Sequence, residues 1–229
     1  MPAWRLDSED RSVSAYDAGI SENSESGMLV HAVLCMAAEV KSVNSQKNRV
    51  DAVHMGPPLG DTPATIHAIG TAELDGIGID GGERRSIKAF VDERMSERDA
   101  QSARLNRMPT IERRFQEYSV HPDYVPPDSN TTLWRFSCVG FVLRAYEIAR
   151  IQLLDRDSLP MISLEKLKAA YPGWAGLLSK AEVRQRLGIG QGNEWPVVLA
   201  GYVLHALDRK AAEIRLRPYL VKPGDEKFP

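Results

Sequence analysis

The 229 residues carry 29 Lys and Arg against 31 Asp and Glu, a net charge of −2, with 43% hydrophobic and 26% charged residues. That is the composition of an ordinary globular chain, and the balanced charge gives no pull toward nucleic acid or an anionic membrane surface. Two cysteines, Cys35 and Cys138, are too few for a disulfide framework or a cysteine-built zinc site, so both are expected as reduced thiols in a cytoplasmic protein.

Residues 1–27 are rich in Ser, Asp and Glu and lack a basic start followed by an apolar core, so they read as a polar, mobile arm and not as a secretory signal. No apolar run approaches the roughly 20 residues that span a bilayer, and stable membrane insertion is not expected. The rest, 28–229, is expected to form one domain, with a core over about 28–172 and a mainly helical extension over 173–229.

In chain order, Met28 to Val40 is a nearly continuous apolar run, which suits a strand buried on both faces. Period two then sets His31, Val33 and Cys35 on one face and Val30, Ala32 and Leu34 on the other. Lys41 to Arg49 is turn-like, and Val50 to Met55 reads as a second strand ended by the stretch Gly56 to Gly60. Ala64 to Gly70 is expected as another strand, and Glu73 to Asp80 as one more. Ser86 to Met95 has helical spacing, with Ile87, Phe90 and Val91 on one side. The charged stretch 96–108 is expected as a solvated helix or loop, and 109–118 as a short helix opened by Pro109. A proline-held loop over 121–128 follows.

The segment Leu133 to Arg150 then forms a short approach and a helix that starts at Cys138. Phe141, Val142, Ala145, Ile148 and Ala149 recur at helical spacing, and Ser137 is a suitable N-cap. Further helices are expected over 162–170 with Ser163 as cap, over 179–187 and over 195–207. Ala212 to Arg217 alternates like a half-buried strand.

The position of Cys138 carries the chemistry. A thiol in the first turn of a helix sits at the positive end of the dipole, which favours thiolate, and the unpaired N–H groups there can hold an oxyanion. A cysteine nucleophile also needs an imidazole, and the candidates are His31, His54, His67, His121 and His205. No His-Glu-x-x-His, Cys-x-x-Cys or phosphate-loop pattern occurs, so neither metal nor cofactor is expected.

The residues Arg135-Phe-Ser-Cys138-Val-Gly-Phe-Val, followed by Ala145-Tyr, resemble the cysteine helix of the NlpC-type papain-like superfamily. His31-Ala-Val-Leu resembles its histidine strand, and Thr65-Ile-His67-Ala-Ile-Gly70 resembles the strand after it. Histidines before the cysteine correspond to the circularly permuted branch, which includes lecithin–retinol acyltransferase-like proteins. The resemblance implies an α+β permuted papain-like fold, a small mostly antiparallel sheet on the cysteine helix. It also implies Cys138 as nucleophile, His31 as base and His67 as the residue that orients His31; His54, on another expected strand, is the substitute for either, and His205 is the base that the unpermuted order requires. The activity implied is a thiol hydrolase (peptidase, amidase or esterase) working on a peptide, amide or ester through an acyl-thioester. An acyltransferase of the same fold and a non-catalytic binding module are the alternatives. The family's strand before the histidine strand has no counterpart expected within 1–27.

Overall fold

The computed structural model describes residues 4, 5, 12, 13, 15–36, 38, 39, 49–56, 58–70, 79–128, 132–227 and 229. Its centre is a six-stranded antiparallel sheet made of β1 (Trp4–Arg5), β2 (Ala18–Glu22), β3 (Leu29–Cys35), β4 (Ala52–Met55), β5 (Leu59–Asp61) and β6 (Ala68–Gly70). The strand order is β1-β6-β2-β3-β4-β5. With the helices α1 (Gly81–Leu105), α2 (Thr110–Glu117), α3 (Cys138–Ile148), α4 (Leu164–Ala170), α5 (Ala175–Leu178), α6 (Ala181–Arg186), α7 (Ala200–Leu207) and α8 (Ala211–Leu216), the class is α+β.

The expectation of a mobile arm is corrected over 18–22. Ala18 and Ile20 are fully buried, and β2 pairs with β3 from Ala18 opposite Leu34 to Glu22 opposite Leu29. The segment Ala-Gly-Ile-Ser-Glu has little strand propensity of its own, and its place comes from the neighbours that cover it on both edges. This strand precedes the one that carries His31 and pairs with it.

The side-chain alternation of β3 divides the interior in two. Ala32 and Leu34, with Val53 and Met55 of β4, pack in the main core with Phe141, Val142, Ala145 and Tyr146 of α3 and with Tyr202, Val203 and Leu204 of α7. Val33 and Cys35 face the other way, into a small cluster with Val50, Ala52, Ala64 and Ile66. Tyr146 is wholly enclosed, and its hydroxyl donates to the carbonyl of Tyr16, 3.0 Å away, tying α3 to the entry of β2.

Helix α1 is longer than its apolar pattern. Asp80 and Glu83 form a reciprocal capping box, with the Asp80 Oδ1 accepting from the Glu83 N–H at 2.8 Å and the Glu83 Oε2 accepting from the Asp80 N–H at 2.7 Å. The helix then runs through the charged residues to Leu105. The expected strand over 212–217 is instead α8, whose buried Ala211 and Ile214 stand three apart, as a helix requires. The helix expected from Trp195 starts only at Ala200, because Glu194–Trp195 pair as a strand with Ile162–Ser163. The strand expected over 64–70 is broken at Ile66 and His67 into Ala64–Thr65 and β6. Of the turn expected over 41–49 and the strand expected over 73–80, residues 41–48 and 73–78 lie outside the described residues, while Arg49 begins a short strand and Asp80 caps α1. Among the described residues no helix is long and apolar enough to cross a membrane.

Candidate active site

Helix α3 begins where the sequence pattern places it. The Ser137 Oγ accepts from the Gly140 N–H at 2.8 Å, capping the first turn, while the Ser137 N–H donates to the Asp123 carbonyl at 2.8 Å. Gly140 is needed for this approach: a Cβ there would lie 1.9 Å from the Asp123 oxygen. The cap and the close loop together fix Cys138 as the first residue of the helix.

Cys138 is 2% exposed. Burial pushes its pKa above the ordinary thiol value, against the pull of the Ala32, Val139 and Cys138 backbone and of the Tyr118 hydroxyl. Tyr118 in turn interacts with the hydroxyl of Tyr171, and its ring stacks on Trp174 at 5.0 Å. In this resting arrangement the helix dipole does not prevail over desolvation, and the thiol is neutral. N–H groups and a phenol nevertheless surround the place where charge on sulfur, or on a bound carbonyl oxygen, would develop.

His31 lies one residue before Ala32, which shares the main core with Cys138, so strand alternation sets the His31 side chain on the opposite face of β3. Its Nε2 is 2.9 Å from Nδ1 of His54, with the two rings edge-on at 83°. The register explains the meeting: Leu34 opposes Val53, so Val33 opposes His54, and His31 is the diagonal neighbour on the same face. The Nε2 of His54 continues the chain to the Thr62 Oγ1 at 2.9 Å. Burial, then the neighbouring His54, lowers the His31 pKa to about 4, and burial lowers that of His54 as well. Both imidazoles are therefore neutral at neutral pH. With Nε2–H of His31 donating to His54 and Nε2–H of His54 donating to Thr62, the Nδ1 of His31 is left as an acceptor, the form a general base requires.

His67 is not brought to His31 by any hydrogen bond among the described residues. Its Nδ1 accepts from the Glu22 N–H at 3.0 Å and its own N–H donates to the Ile20 carbonyl at 2.7 Å, so it fastens the 64–67 segment to β2. The residue that holds His31 is His54, which the strand pattern over 50–55 allowed but did not select. His205 lies on α7, where its Nε2 bonds the Lys227 carbonyl at 3.0 Å. No hydrogen bond among the described residues joins Cys138 to His31. Sequence reasoning also passed over Thr62, Tyr118 and Tyr171, which no local motif marks. The described residues hold no group of three or more His, Cys, Asp or Glu able to bind a metal ion. Comparison with protein-family models, with curated proteins and with solved structures finds no match for this chain.

Proposed function

We propose that the chain is a thiol hydrolase of the permuted papain-like type, with Cys138 as nucleophile, His31 as base and His54 as the residue that orients it. The carrying observation is the Ser137-capped start of α3, which sets Cys138 in the first turn of a helix packed on the strand that carries the His31–His54 pair. The position of β2 before the histidine strand and the packing of α3 against β3 support the same reading of the fold. In the reaction, Nδ1 of His31 takes the thiol proton as sulfur attacks the carbonyl of a peptide, amide or ester. The imidazolium is steadied through Nε2–H to His54 and returns its proton to the leaving amine or alcohol. Water then resolves the acyl-thioester, or an amine or hydroxyl acceptor does so in the acyltransferase version. β3 alternation turns His31 to the side of Val33, the face opposite Cys138, so the transfer of the thiol proton requires a rearrangement of the β3 backbone that brings the ring to the thiol. Reduced, unpaired Cys35 and Cys138 fit a cytoplasmic setting.

The test is turnover of p-nitrophenyl esters and short peptide amides, with mass spectrometry of the acylated peptide. Expected are loss of turnover in Cys138→Ala and His31→Ala and an adduct on Cys138; turnover that survives Cys138→Ala ends the reading.

A second reading has two observations in its favour: a nearly inaccessible sulfur whose pKa burial has raised, and a His31–His54 pair on the opposite face of β3. In it the cysteine is a core thiol and the chain is a binding module. Native protein would then resist iodoacetamide at Cys138 and react only after unfolding, with no acylation by esters.

A further inference from the structure

Three arginines from separate elements meet around the end of α2. Arg104, in the last turn of α1, reaches the Gln116 Oε1 of α2 and the Thr132 Oγ1, both at 3.3 Å. Arg135 follows Thr132 closely in the chain, in the strand Arg135–Phe136, and its Nη1 donates to the Arg186 carbonyl at 3.4 Å. Arg186, in the last turn of α6, lays its guanidinium over the ring of Phe115, the α2 neighbour of Gln116, at 5.3 Å. These contacts close a circuit around one surface, where Arg104 and Arg186 are exposed and Arg135 is half-buried. Among the described residues none of the three is ion-paired with an acid, whereas Arg94, Arg98, Arg144 and Arg156 each are. The exposed acids of α2 and α6, Glu112 and Glu182, stand in the first turns, where the helix dipole favours them, at the ends away from this circuit.

We infer that the Arg104–Arg135–Arg186 surface docks an acidic peptide segment, whose Asp or Glu carboxylates accept from the guanidinium groups. Like charges gathered without counter-charges repel one another, and a partner that brings carboxylates removes that repulsion. The bonds Arg104 makes are long and go to neutral groups, so a carboxylate exchanges them for shorter, charge-assisted ones. Each planar fork matches the two oxygens of a carboxylate. The surface is open, which suits charges spaced along an extended segment better than one enclosed small anion. A single-stranded nucleic acid would need ring faces for its bases, and the ring here, Phe115, is buried beneath Arg186. The chain's net charge of −2 also opposes a long polyanion more than a short segment.

The inference does not rest on the cysteine chemistry, and Cys138→Ala protein is expected to bind alike. The full chain is titrated against fluorescein-labelled peptides of alternating Glu and Gly, or of alternating Lys and Gly, and against an oligothymidylate of the same charge as the Glu peptide, by fluorescence anisotropy at low salt. Expected is saturable binding of the Glu peptide, weakened about tenfold when Arg104→Gln, Arg135→Gln and Arg186→Gln are combined. Arg85→Gln, Arg150→Gln and Arg217→Gln together remove the same charge from other exposed positions and should change binding by less than about threefold. Melting curves check both variants; should the first not fold, Arg104→Gln with Arg186→Gln, both exposed, decides, with a loss of about fivefold expected. No saturable binding of the Glu peptide, equal weakening by the two sets of substitutions, or tighter binding of the Lys peptide or the oligothymidylate would overturn the inference.

Discussion

Gly140→Ala tests whether the approach of the 121–125 loop to the cysteine helix is as tight as the geometry requires. The added Cβ would stand 1.9 Å from the Asp123 oxygen, 2.6 Å from its carbonyl carbon and 3.1 Å from its Cβ. The loop has to withdraw by more than an ångström to restore ordinary contact. It is held from the far side, because the Asp123 carboxylate pairs with Arg156, which also pairs with Glu147 at 2.8 Å. Withdrawal also stretches the bond from the Ser137 N–H to the Asp123 oxygen, and with it the cap of α3. Overpacking of this kind costs about 1–3 kcal/mol, and the weakened buried hydrogen bond adds about 1 kcal/mol. A loss of about 3 kcal/mol is expected in urea unfolding. Gly173→Ala, where a Cβ meets nothing within 4 Å, is the control and should stay within about 0.5 kcal/mol of the parent. If Gly140→Ala is as stable as that control, the close packing of loop on helix is refuted.

The two imidazole assignments separate by mutation: His54→Ala should reduce turnover by about a hundredfold or more, through the loss of the partner that orients His31. His67→Ala should leave turnover intact and cost about 1 kcal/mol of stability, through the lost bond from the Glu22 N–H. The reverse outcome would return the orienting role to His67. Glu117 makes stability depend on pH, because burial raises its carboxyl from 4.5 to about 7. The stabilising contribution of its protonated form is full below about 4.5 and is lost as pH rises toward 7, by at most about 2–3 kcal/mol. Glu117→Gln should therefore gain stability over the parent at pH 8 relative to pH 5, and a difference that is flat with pH contradicts the buried carboxyl.

Local signals in the chain were enough for the start of α3, its Ser137 cap and its apolar face, because capping and helical spacing act within a few residues. The same holds for the strand that carries His31 and for the Ser163 cap of α4. The α+β class follows from those patterns. Which histidine meets which was beyond them, since His31 and His54 lie 23 residues apart and meet only through the β3–β4 register. Residues 18–22 read as polar arm because their burial is supplied by β3 and β6, and not by any hydrophobic run of their own. Tertiary structure alone decided the state of the Cys138 thiol. The sequence puts it at the favourable end of a helix dipole, but Tyr118, Tyr171 and β3 exclude water from it, and desolvation of a thiolate outweighs the partial charges of one helix turn.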